Sequence, residues 1–96
     1  MNVSRQAEES GYPLADQEIR LELEEEAKKI RRLQLMISMV MSVIGQDPSL
    51  TLAEASELAA GAKKAALAMF PDKELAFDLL YRPRLQRLIR ERFRLQ

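Results

Sequence analysis

Apolar residues recur along the first half of the chain at alternating spacings of four and three: Ile19, Leu23, Ile30, Leu33, Ile37, Val40 and Ile44, with Glu26 as the polar occupant of the series. Such a repeat lays one seam along an α-helix and requires a second helix to cover it. From Leu33 to Ile44 the apolar positions spread: Leu35, Met36, Met39, Met41 and Val43 lie beside the seam, and Gln34, Ser38 and Ser42 remain as a narrow polar line. A segment of that kind needs cover on several sides. The pattern predicts a first helix from about Gln17 to Ile44, with Asp16 as its N-cap and with Gly45 and Asp47-Pro48 as its stop. Glu24 with Lys28 and Glu25 with Lys29, acid before base at four-residue spacing, predict an exposed surface on its first half.

The remainder reads as shorter helices. Thr51-Leu52-Ala53-Glu54 has the form of a capping box, which opens a helix from Leu52 to Phe70 that Pro71 ends. Its buried positions are mostly small, namely Ala55, Ala59, Ala62 and Ala66. Asp72 is expected to cap a third helix from Lys73 to Tyr81. Pro83 calls for a fresh start, with the proline in the first turn of a helix whose apolar face is Leu85, Leu88, Ile89 and Phe93. Residues 1–15, punctuated by Ser10-Gly11-Tyr12-Pro13, are expected to form a flexible tail, and residues 16–96 a single helical domain. The fold class is therefore all-α, a small bundle of three to four helices around one long N-terminal helix. At ~1.5 Å per residue the first helix is about 40 Å long and the second about 28 Å, so one chain has difficulty covering the whole seam. A homodimer through Ile19, Leu23, Ile30, Leu33, Ile37, Val40 and Ile44 is the expected solution.

Composition narrows the chemistry. The 96 residues include neither cysteine nor histidine, which excludes disulfides, thiolate metal sites and Cys- or His-based nucleophilic dyads. No catalytic, cofactor-binding or metal-ligating residue is expected. The start lacks a basic then apolar leader, and the run from Leu33 to Ile44 is shorter than the ~18 residues of a membrane span, so a cytoplasmic protein with no membrane partner is expected.

The net charge of zero hides segregation. Residues 1–27 carry eight acids against Arg5 and Arg20, whereas residues 82–96 carry six arginines against Glu91. On a helix beginning at Pro83, Arg84, Arg87, Arg90 and Arg94 share a basic face, and Arg92 intrudes into the apolar arc. That face suits an external anion or the acidic start of the first helix.

Three functions follow. The favoured one is a non-enzymatic protein–protein interaction or regulatory module that homodimerises through its long helix and can hold a further protein partner. The second is a DNA-binding regulator, through the basic helix or through a helix-turn-helix with its turn at Gly61 and with Lys63 and Lys64 on the second helix. Phe70-Pro71-Asp72-Lys73-Glu74-Leu75 is similar to the segment that follows the recognition helix in tetracycline-repressor-type regulators; the family's base-reading residues have no counterpart here. The third is a magnesium-dependent phosphohydrolase. Glu54 with Glu57, and Glu74 with Asp78, resemble the paired acids of all-helical MazG-type nucleotide pyrophosphohydrolases, from which the chain departs in having Phe77 where the second acid would stand. The resemblance implies magnesium held by those four carboxylates.

Overall fold

A computed structural model of the chain describes residues 14–94. Among the described residues there are four helices and no strand: α1 (Leu14–Gln46), α2 (Leu52–Met69), α3 (Glu74–Leu80) and α4 (Arg82–Phe93). The protein is all-α. The expected tail falls mostly outside the described residues, and its last two positions, Leu14 and Ala15, are already helical. Asp16 therefore lies inside the first turn of α1 rather than at its N-cap, where its charge still complements the positive end of the helix.

The chain divides into two compact units, 1–31 and 32–96, with the division inside α1. In the described part of the first, Ile19, Leu21, Leu23 and Ile30 are all exposed. Lys28 Nζ lies 3.5 Å from Glu25 Oε1, one turn away along the same helix.

The second unit holds the core. Leu33, Ile37 and Ile44 from α1, Ala55, Ala62 and Ala66 from α2, Phe77 from α3 and Leu85 from α4 are buried together. Ile44 and Leu85 are the largest side chains closed off from solvent. The alanines keep the α2 surface low, so the bulk comes from α1 and from the half-buried Met36, Val40, Met41, Leu58, Leu88, Ile89 and Phe93. Leu35, Met39 and Val43 did not receive the cover expected of them: they form an exposed line at four-residue spacing on α1. Leu75, Leu79 and Leu80 on α3 are exposed as well.

Each boundary has a local cause. α1 runs through Gly45, which has no positive φ, and its last bond is from Asp47 N–H to Val43 O at 3.0 Å. Gly45 does not stop the helix as expected; Pro48 does, by disfavouring helical geometry at Asp47. A Cβ at Gly45 would make an ordinary contact with Leu88 Cδ1 at 3.8 Å, so the position does not require glycine for space either. Asp47 Oδ1 then accepts from the Ser49 amide at 3.0 Å and the Ser49 hydroxyl at 2.8 Å, which turns the chain.

The capping box forms in full: Thr51 Oγ1 accepts from Glu54 N–H at 3.1 Å, and Glu54 Oε1 accepts from Thr51 N–H at 2.9 Å. α2 ends one residue short of Phe70, whose amide donates to Ala66 O. α3 is shorter than expected. Its N-cap position is Lys73, with no side-chain cap, and Asp72 lies in the preceding turn. Pro83 sits in the first turn of α4, where its missing N–H costs nothing.

Candidate interaction surfaces

The long seam meets two different fates along one helix. Ile19, Leu23 and Ile30 are 53, 65 and 43% exposed. Leu33, Ile37 and Ile44 are buried by their own chain, and Val40 is half-buried against the same cluster. The seven residues expected in one dimer interface thus fall into a bare set at 19–30 and a set at 33–44 that α2, α3 and α4 already cover. Glu26 is exposed in the middle of the bare set.

The four arginines expected on a basic face lie at the end of the chain on and just after α4. Arg84, Arg87, Arg90 and Arg94 are all exposed, and none of them is in a salt bridge among the described residues. Arg94 has a left-handed backbone (φ 53°) and closes α4 through its amide to Arg90 O. Arg92, which interrupts the apolar arc in the sequence, has a structural partner. Its guanidinium donates to Ile44 O at 3.1 Å, a carbonyl that the end of α1 leaves open because residue 48 is a proline, and to Asp47 O, which also accepts from the Leu50 amide at 3.3 Å. Asp47 completes the corner. Its carboxyl is held below the usual carboxylate range by the Ser49 hydroxyl and amide and, more weakly, by the Arg92 guanidinium.

Two of the candidate carboxylates are tied up by Lys63, one of the two lysines of the helix-turn-helix alternative. Lys63 Nζ on α2 lies 2.9 Å from Glu74 Oε2 and 3.0 Å from Asp78 Oδ1, and Arg82 Nη1 reaches the same Asp78 oxygen at 4.0 Å. Glu54 is engaged in the capping box. The four acids therefore do not gather at one point, and among the described residues no group of three or more His, Cys, Asp or Glu stands in a metal-holding arrangement. No recurring signal in the sequence pairs Lys63 with α3, or Arg92 with α1, because the partners are 15 and 48 residues away.

Glu74 and Asp78, through hydrogen bonds first, raise the Lys63 pKa above its ordinary 10.5. A raised folded-state pKa contributes stability that is complete below the unfolded value and is lost as pH rises through the folded one. The melting temperature is accordingly expected to fall above pH 10.5 by more in the parent protein than in Lys63→Gln, which has no charge there to lose. Equal alkaline slopes for the two proteins in pH-dependent thermal melts would show that the bridge does not stabilise the fold.

α2 is unbroken at Gly61, so the turn that a helix-turn-helix needs is not formed: at a cost of under about 1 kcal/mol, one glycine does not interrupt an alanine-rich helix. Gly61 instead opens the floor of a groove of about 440 Å³ lined by Met36, Val40, Leu50, Leu58 and Ala62, with Glu54 and Glu57 at its edge. Among the described residues no helix is long and apolar enough to cross a membrane. Comparison with family models, curated proteins and solved structures found no match for the chain.

Proposed function

We propose that the protein is a non-enzymatic helical interaction module that homodimerises through the first half of α1 and acts by binding. The bare seam carries this reading. Ile19, Leu23 and Ile30 repeat the spacing of the buried residues further along the same helix, yet stay exposed in a single chain. Soluble proteins place large aliphatic side chains in such a line where another surface covers them. The support for a DNA-binding regulator is narrower, resting on the exposed arginines of α4 once the turn at Gly61 is gone.

Fully burying a large aliphatic side chain contributes about 1.5–3 kcal/mol. Three half-exposed ones from each copy supply on the order of 5–10 kcal/mol, against an association cost of about 4–15 kcal/mol. The dimer is therefore weak and concentration-dependent. Sedimentation equilibrium across the micromolar range is expected to show monomer and dimer in exchange. Leu23→Asp, at an exposed position, should leave the helical signal intact and shift the protein to monomer. A parent protein that stays monomeric at high micromolar concentration would retire the proposal.

A further inference from the structure

The charges flanking the bare seam distinguish how two copies meet. Along α1, Ile19 and Glu26 occupy one seam position of the repeat, and Leu23 and Ile30 the other. Glu22 and Lys29, themselves seven apart, flank the seam on one side, and Arg20 and Ala27 flank it on the other. Glu22 and Glu26 are exposed and Lys29 is half-buried.

In a parallel, in-register pair each seam residue faces its own copy, so Glu26 would meet Glu26 across an apolar contact, and like charges at that distance repel. The flanks would then set Glu22 beside Ala27 and Lys29 beside Gln34, with no ion pair gained. In an antiparallel pair the same flank meets itself. We propose that two copies pair the 19–30 stretch of α1 antiparallel, with Ile19 of one copy across from Ile30 of the other and Leu23 across from Glu26. This register rests on the dimer proposed above.

The geometry of the repeat brings Glu22 of each copy against Lys29 of the other, twice by symmetry. Glu26 packs its stem on Leu23 and keeps its carboxylate at the solvent edge. The two neighbouring antiparallel registers are worse for separate reasons. A shift of one heptad toward the N-terminus sets Asp16 across from Glu26 and Glu22 across from Glu22. A shift the other way needs Leu33 and Ile37, which the chain has already buried. Glu26, the polar break in the seam, thereby selects direction as well as register, the role that a single polar seam residue performs in other helix pairs.

The absence of cysteine makes the arrangement measurable. Ile19→Cys and Ile30→Cys are made as separate proteins, one labelled with nitrogen-15, mixed at dimer-forming concentration and oxidised gently. The antiparallel pair predicts mixed cross-linked dimers, each joining a Cys at 19 to a Cys at 30, in roughly tenfold excess over either like-with-like product. Predominant 19-to-19 and 30-to-30 cross-links, with the parent dimeric in sedimentation, would overturn the direction and leave the dimer standing; a monomeric parent would remove both. Charge reversal provides a second readout that leaves the seam untouched. Glu22→Lys and Lys29→Glu should each weaken the dimer several-fold, and the double variant should restore it. Failure of the double variant to recover, with helicity unchanged, would contradict the Glu22–Lys29 contact.

Discussion

Ile37→Asp is expected to unfold residues 32–94, whereas Leu23→Asp is expected only to separate two copies. Both positions belong to the same seven-residue series, and the sequence does not distinguish them. Ile37 is 3% exposed and sits among Leu33, Ile44, Ala62 and Ala66, with no polar partner within the cluster. A charge placed there costs several kcal/mol. A unit of roughly 60 residues has about 3–9 kcal/mol to lose, so the native state should no longer dominate at 25 °C. Far-UV circular dichroism and urea titration read this directly: Ile37→Asp should lose most of its helical signal and its cooperative transition. Ile37→Ala should keep a cooperative transition with a lower midpoint, at a cost of about 2–5 kcal/mol. An Ile37→Asp protein that melts as the parent does would mean that the cluster around Ile37 is not the core.

The second large effect is expected at Arg92. Two carbonyls at the end of α1, those of Ile44 and Asp47, accept from one guanidinium on α4. A hydrogen bond to a charged group contributes about 1.5–3 kcal/mol, and removal of the donor leaves the Ile44 carbonyl open, whereas Asp47 O keeps its bond from the Leu50 amide. Arg92→Ala should therefore cost about 2–3 kcal/mol and lower the melting temperature by roughly 10–20 °C. Arg92→Lys should recover only part of this, since one ammonium on a flexible stem does not reproduce the fork of a guanidinium. Amide hydrogen exchange places the loss: protection should fall first around residues 43–50, where the freed Ile44 carbonyl and the turn after it lie. Unchanged exchange there would show that α1 does not depend on the contact.

These two residues mark the limit of what was legible beforehand. The capping box at Thr51 and Glu54, the helix start around Pro83 and the break at Pro48 each depend on neighbours within a few positions, and all three formed. Seam periodicity predicted that α1 is long and that Leu33, Ile37 and Ile44 are interior; it carries no information about whether the cover comes from the same chain. Asp16 and Asp72 are not caps because α1 begins three residues before the expected start and α3 one residue after it, and an N-cap role is specific to one position. Gly45 had the composition of a stop without the left-handed backbone that makes a glycine one. The Lys63 bridge and the Arg92 clasp arise only when distant helices pack. In the sequence, Arg92 is a charge on the wrong side of an apolar arc; in the fold, the same placement is what lets it reach α1.

The clasp also bears on synthesis. A chain emerging from the ribosome releases α1 first, and its seam and the open Ile44 carbonyl must wait while α2 and α3 follow. Folding that proceeds in units during translation has no complete unit here until residue 92 is clear. Until then the nascent chain carries an exposed apolar helix with an open end, the kind of surface that favours aggregation during the interval between the first helix and the last.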